Sequence, residues 1–593
     1  MEGDLSLNSF DVITFVGFLV VVVVVSLWAS RKEESSEDYF LAGRKLNWWL
    51  IGFSLIASNI STEHFVGMAG QAFGRVGLAI ASYEWMSAIT LVIVAWWLLP
   101  KFLRIGIYTM PEFLEYRFDR GTRTIMAIYL LVLYVFALLA TVLYSGAQGL
   151  NGVFDFPSML ENRFGMSPGD AKDWATLGGI WVIGAIAAIY TIYGGLKAVV
   201  WSDLLQGAAL LAGGAIVLYF GLRLVGGGSL VPGGGVNGGD LVEGWKAFSV
   251  HNSERLHVIL PWNDPDVPWL AVFVGGLWIP NLFYWGLNQF ITQRTLGAKS
   301  LSEGQRGIFL ACVFKLAIPF LIVIPGIMAF QLFGESLIEK AGGDVSKAGE
   351  LAYPHMIAQI MPPMLRGVML AALAGAVMST FNSGINSAST IFTIDLYKKY
   401  LRPDASTKKQ VRVGRIATAV IALFACLVGP LPGKFQGVFA YIQEIWGFIS
   451  PGIVAAFLGG ILIRRAPAIA GRMALLGSPI LYGICRVPKW VFEGKYVVEL
   501  EGGEKVLHLT KGGKAVGGFV QGLYDFNNWA FLHHMALVFF VLILAMLMIT
   551  LLRPMTRETV YPRSSIDVQV PRSNYVLGTL IVLATIALYV VFR

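Results

Sequence analysis

The chain has 593 residues, of which 56% are hydrophobic and only 14% charged. A soluble protein carries about 25% charged residues, so this composition excludes an ordinary globular enzyme and points to an all-α polytopic membrane protein. The formal charge of +8 is distributed over several loops, which makes it a topology signal and excludes a nucleic-acid-binding face.

Met1-Glu2-Gly3-Asp4 has no basic n-region, so the first apolar run is expected to stay on as an anchor. Runs of bilayer-spanning length fall at 10–30, 47–71, 77–100, 124–150, 175–193, 199–223, 268–293, 306–333, 365–395, 412–430, 436–463, 471–486, 529–552 and 574–592, about fourteen in all. Arg31, Lys32, Arg44 and Lys45 lie in the first connecting loop. Lys101, Arg104, Arg117, Arg120 and Arg123 lie in the third, and 396–415, 464–472 and 553–572 are also basic. An even number of spans puts all of these on one side, expected to be the cytoplasm, with both termini outside. Residues 226–239 are glycine-rich and read as a flexible linker. Residues 496–516 suggest a small external hairpin, and 108–114 a short surface helix with Pro111 in its first turn. Cys312, Cys426 and Cys485 have no metal or disulfide spacing and are expected in the core.

The run Phe53–Phe65 is polar in the middle of a span: Ser54, Ser58, Asn59, Ser61, Thr62, Glu63 and His64 fall at bilayer depth. Such groups cost several kcal/mol in lipid unless satisfied, so this helix is expected to be broken and to line a site. Five spans later, Pro280-Asn281-Leu282-Phe283-Tyr284-Trp285-Gly286-Leu287-Asn288-Gln289 interrupts another span at similar depth. Paired interrupted helices point to an inverted-repeat secondary transporter. Spans two to six (47–223) and seven to eleven (268–463) would be the repeats. The first helix (10–30) and the last three (471–592) would be peripheral to one transporter domain.

Ala376, Ser379 and Thr380 share a face of the ninth span. A carbonyl and two hydroxyls suit a hard cation such as sodium, and free carbonyls of Ala57 and Ile60 would complete the set; equally, small and hydroxyl residues pack membrane helices. Glu84, with Ser87 one turn on and Tyr83 and Trp85 adjacent, would accept from solute hydroxyls or snorkel to the interface. Asn59 and His64 each donate and accept. Lys315 is a lysine at bilayer depth and so a functional candidate. Asp203 reads as an ion-path carboxylate or a helix N-cap, and Gln443 as a further amide in an apolar span. No nucleophile elbow, HExxH motif or nucleotide loop is present, so an enzyme has nothing to rest on.

The stretches Ala57–Gly67, Ser82–Ser87, Tyr193–Gln206, Asn281–Thr295, Ala371–Tyr397 and Tyr441–Gly452 together resemble the sodium/solute symporter family, in particular its sugar cotransporters, over roughly residues 8–465. The resemblance implies a LeuT-type fold with two inverted five-helix repeats, working by alternating access. It implies sodium at Ala57, Ile60, Ala376, Ser379 and Thr380, and sugar hydroxyls at Asn59, His64, Glu84, Ser87, Asn281, Lys315 and Gln443. Tyr284 would stack on the pyranose as inner gate beside Trp285, with Met68, Tyr83 and Phe439 as outer gate. Asp203 would lie on the sodium exit path. Thr380 stands where sugar carriers often have a second serine, and His64 where the bacterial galactose carrier has glutamine.

The expected function is sodium-driven symport of a hexose across the cell membrane, with sodium as the co-transported ion and one chain sufficient for transport, alone or within an oligomer. The rivals are a symporter of myo-inositol, another polyol or a sugar acid, and a membrane solute sensor that does not transport.

Overall fold

Lipid offers the backbone no hydrogen-bond partner, so each apolar run must satisfy its own peptide groups as helix. The computed structural model describes residues 8–31, 35–154, 156–434, 438–493, 497–500, 507–511, 514–515, 518–556 and 559–593. Among them, twelve helices are long and apolar enough to cross a membrane. One of these, Pro168–Val225, has 58 residues and bends at Gly195, whose φ of 50° and ψ of −146° lie outside the helical region. A Cβ there would fall 2.3 Å from the Tyr39 carbonyl, so only glycine fits, and the bend divides this helix into the expected spans 175–193 and 199–223. The segment Trp48–Phe73 is too interrupted to count as one helix. With both included, the described residues hold fourteen candidate spans, in line with the approximate number expected.

The basic loops meet on one face. Arg44 donates to the carbonyls of Leu296, Gly106 and Ile107 at 2.9–3.2 Å. Lys399 pairs with Glu115 at 2.6 Å and Arg472 with Asp119. The backbone joins Ser564 to Arg104 and Met555 to Arg465. The start of the first described helix and the end of the last lie on the opposite face: Asp11 accepts from Arg366 at 2.7 Å and from the Met364 N–H at 2.8 Å, and the Val258 N–H donates to the Phe592 carbonyl at 2.9 Å.

Seven helices position the site, with α1 (Ser9–Ala29) outside them: α2 (Trp48–Asn59), α3 (Ser82–Ile93), α4 (Pro168–Val225), α5 (Trp278–Leu282), α6 (Gln289–Leu296), α7 (Leu301–Lys340) and α8 (Leu365–Ile391). The start of α2 meets the end of α6, where the Lys299 N–H donates to Leu46 at 3.1 Å. At the other face, Arg75 beyond α2 reaches Asp264 at 2.5 Å and also Asp266, both just before α5. The two broken segments are therefore antiparallel neighbours. α8 is buried along nearly its whole length, whereas α1 and the last two helices turn residues such as Val24, Leu551 and Val590 outward, an apolar face suited to lipid.

Two expectations need correction. Residues 226–239 are not a loose linker: Ser229–Leu230 pairs antiparallel with Val236–Asn237. Gly233, Gly234 and Gly235, with φ of 85°, 105° and 111°, make the turn, so glycine here serves tight geometry. The helix expected at 108–114 runs Met110–Arg117, with Met110, Pro111, Phe113, Leu114 and Arg117 buried. It is an internal support rather than a surface element, because Arg117 donates to the carbonyls of Ile463 and Ala466 at 2.8 and 3.1 Å. At 496–516, strands Val497–Leu500, Leu507–Lys511 and Lys514–Ala515 form an antiparallel sheet.

Burial alone would raise the Asp264 carboxyl, but the Arg75 guanidinium and the N–H groups of Val267 and Asp266 hold it below its ordinary value. A depressed folded value means that this stabilisation is complete above the ordinary aspartate value of about 3.9 and is lost as pH falls through the lower folded one. Asp264→Asn is expected to flatten the acid limb of the thermal-stability curve. An unchanged limb would remove Asp264 from that role.

Candidate functional site

The break in the first segment follows from where its N–H groups go. Ile60 leaves the helix at φ −76°, ψ 116°. The Ser61 N–H turns to His64 Nδ1 at 3.4 Å, the Glu63 N–H to Ser61 Oγ at 3.2 Å, and the His64 N–H to the Ser61 carbonyl at 3.0 Å. In an unbroken helix those three donors would serve the carbonyls of Ala57, Asn59 and Ile60, which are thereby released. A π-helical turn, Glu63–Met68, follows. In the second segment the π turn comes first, Phe283–Leu287, and the extended residue Asn288 (φ −88°, ψ 122°) comes after it. Because the segments run antiparallel, both π turns lie on the same side of the breaks. Both contribute to one cavity.

That cavity is lined by Asn59, His64, Met68, Tyr83, Glu84, Ser87, Asn281, Tyr284, Trp285, Lys315 and Thr380, among others. Most of the expected solute and gate residues are thus brought together. Glu84 on α3 is buried, not snorkelling: Lys315 Nζ on α7 donates to its Oε2 at 2.5 Å, and His64 Nε2 lies 3.5 Å from its Oε1. Lys315 also donates to Asn59 Oδ1 and sits 4.8 Å above the Trp285 ring. Asn59 Nδ2 donates to the Tyr284 hydroxyl at 3.0 Å. Ser87 Oγ lies 2.9 Å from Asn281 Oδ1, while Asn281 Nδ2 is buried with no hydrogen-bond partner among the described residues. Tyr284 and Trp285 meet edge to face, 5.0 Å between centroids. The arrangement offers alternating donors and acceptors beside two aromatic rings. The side chains of Phe439 and Gln443 lie outside the described residues.

Beneath this cavity, Thr380 Oγ1 on α8 donates to the carbonyls of Ser58 at 3.0 Å and Ala376 at 3.2 Å. It bridges α8 to the broken end of α2, close to the released carbonyls of Ala57 and Ile60. Ser379 points to a different neighbour, donating to Asp203 Oδ1 at 2.6 Å. Asp203 is not an N-cap: it lies inside α4, beyond the Gly195 bend, and accepts from Ser54 at 2.5 Å and Ser58 at 3.2 Å.

Arg294 carries no role that the sequence alone suggests. It is fully buried on α6, with Nη2 3.3 Å from Asp203 Oδ2 and Nε donating to Ser54 Oγ at 2.6 Å; it also donates to Ser58 and Ser383. A charge at bilayer depth was the available signal, but the expected span ended at residue 293 and left Arg294 in the loop.

The model of the sodium:solute symporter family matches residues 39–477. The chain is 40% identical over 490 residues to the sodium/glucose cotransporter of Vibrio parahaemolyticus, covering 80% of this chain and 84% of that relative. It is 32% identical over 507 residues to the sodium/myo-inositol cotransporter 2 of Homo sapiens, covering 80% and 69%. Among solved structures, a Na+-coupled sialic acid symporter in a substrate-bound outward-open state superposes with a TM-score of 0.70 at 18% identity, over 93% of this chain and 99% of that chain, which establishes the LeuT-type fold. With two antiparallel broken helices around one polar cavity, and a family match from the first broken helix to beyond the second, the chain belongs to the sodium:solute symporter family and is a sodium-coupled membrane transporter, not an enzyme.

Proposed function

We propose that the protein takes up a neutral hexose of the glucose or galactose type together with sodium, by alternating access. The observation that carries this reading is the cavity in which Asn59, His64, Glu84, Ser87, Asn281 and Lys315 converge next to Tyr284 and Trp285. Each polar group offers a donor or acceptor to a ring hydroxyl, and an aromatic face covers the apolar side of a pyranose. The name of the Vibrio relative supports the same solute class. In this reading Tyr284 is the inner gate, with Trp285 beside it, and Met68, Tyr83 and Phe439 form the outer gate. Gln443 completes the hydroxyl contacts.

Sodium is assigned to the carbonyls of Ala57, Ile60 and Ala376 and the hydroxyls of Ser379 and Thr380. The three N–H groups diverted at Ser61, Glu63 and His64 support it, since oxygens without helical donors are what a hard cation takes. An ion there ties α2 to α8 and shapes the solute cavity, and Asp203 stands on its exit path. One charge crossing about 100 mV contributes about 2.3 kcal/mol, which adds to the sodium gradient in concentrating a neutral solute. The basic face is assigned to the cytoplasm and both termini to the outside of the cell membrane. One chain is taken to be sufficient for transport, alone or within an oligomer.

Radiolabelled galactose and glucose uptake into proteoliposomes, with sodium against potassium gradients, tests the reading. Accumulation only with sodium is expected; none for either sugar would overturn the hexose. The human relative's name makes myo-inositol the second reading, and myo-inositol outcompeting both hexoses would select it. Replacing Ser379 and Thr380 together by alanine is expected to raise the sodium concentration for half-maximal uptake about tenfold or more, the scale of one or two lost hydrogen-bond-strength contacts. An unchanged sodium dependence would sink the ion assignment.

A further inference from the structure

Glu63 is the acidic residue common to the solute cavity and the wider cleft above it, which Gln71, Arg75, Asp266 and Glu350 also line. Its Oε1 is buried without a hydrogen-bond partner, and no ion pair reaches it among the described residues. The cations nearby are already engaged. Lys315 is held by Glu84 and Asn59, and Arg75 by Asp264 and Asp266. Of the acidic and basic groups lining the solute cavity, Glu84 contacts both Lys315 and His64, and Glu63 is the one left without such a contact among the described residues. The cleft above is lined by three acidic residues, Glu63, Asp266 and Glu350, and one basic residue, Arg75. A buried carboxylate oxygen without a donor is costly, and an incoming ammonium satisfies it better than a hydroxyl, because a charge-assisted hydrogen bond is about twice as strong as a neutral one.

We propose that Glu63 selects solutes by charge, so that the carrier takes up a protonated hexosamine alongside the neutral hexose and rejects a hexuronate. This rests on the sugar-symport reading above. A sugar carboxylate entering the cavity would find Lys315 committed to Glu84 and an unpaired Glu63 in its path. An amino group on the pyranose would find the open acceptor.

The test is sodium-dependent uptake of labelled galactose, glucosamine, N-acetylglucosamine and glucuronate by the full chain in proteoliposomes, at a pH that protonates glucosamine. Wild-type protein is expected to accumulate glucosamine, to discriminate against its uncharged N-acetyl form, and to leave glucuronate outside. Glu63→Gln is expected to lower the glucosamine-to-galactose uptake ratio by about tenfold, the scale of one charge-assisted hydrogen bond, while Glu63→Asp keeps the preference. Glucuronate uptake as fast as that of galactose, or no sodium-dependent glucosamine uptake, overturns the proposal on wild-type protein alone, even if Glu63→Gln fails to fold. A Glu63→Gln variant that shifts the sodium requirement of every probe equally also overturns it, since the carboxylate would then serve the ion. Loss of galactose coupling in wild-type protein, by contrast, strikes the symport reading and not the role of Glu63.

Discussion

Arg294→Met is expected to destabilise the protein by about 3–5 kcal/mol, the cost of leaving one member of a buried ion pair without its partner. Asp203 and Arg294 are both fully buried, so neither has water to fall back on. The guanidinium also joins Ser54, Ser58 and Ser383, and so connects α6 to α2 and α8 at the base of the cavity. Adding Asp203→Asn to the same chain is expected to recover most of the loss, because a neutral amide tolerates the apolar surroundings. Arg294→Lys should fall between, since an ammonium keeps the charge but lacks the planar fork that reaches several oxygens at once. Thermal denaturation of the purified protein in detergent ranks the variants. If the single Arg294→Met change is no less stable than the double change, the pair is not what holds α6 in place.

Why Arg294 is hidden in the sequence while its neighbours are not is a matter of local contrast. Glu84 and Lys315 stand out because each is a lone charge in an apolar span, and lipid makes a lone charge conspicuous. The break at Ile60 was legible because polar groups crowd the middle of the 47–71 run. Arg294, however, follows Thr292 and Gln293 at the polar end of its span. Only the fold shows that this end is enclosed by α2, α4 and α8. The Asp11–Arg366 bond was hidden for a related reason, since its members are 355 residues apart and nothing local ties one to the other. The π turns at Glu63–Met68 and Phe283–Leu287 leave no periodic mark in so short a run. The glycines of 226–239 misled because composition reports backbone freedom, whereas the structure uses that freedom to make a fixed turn at Gly233–Gly235.

Neutralising Glu84 or Lys315 alone is expected to reduce sodium-driven galactose uptake by about a hundredfold, the consequence of losing one or two hydrogen bonds to charged groups at about 1.5–3 kcal/mol each. Lys315 Nζ and Glu84 Oε2 are 2.5 Å apart and nearly inaccessible, so Glu84→Gln leaves an ammonium facing Asn59 and the Trp285 ring with no counter-charge. Part of the loss would then be structural, and a single variant cannot separate the two contributions. Glu84→Gln combined with Lys315→Gln can. It removes both charges, so the penalty for an orphaned ion disappears and thermal stability is expected to return near that of the parent. Uptake is expected to stay low, because the solute would meet two amides instead of a strong acceptor and a strong donor held in register by His64 and Asn59. If the double variant regains both stability and transport, the pair is only a bolt between α3 and α7. If it regains stability alone, Glu84 and Lys315 touch the solute, and the cavity between the two π turns is where it binds.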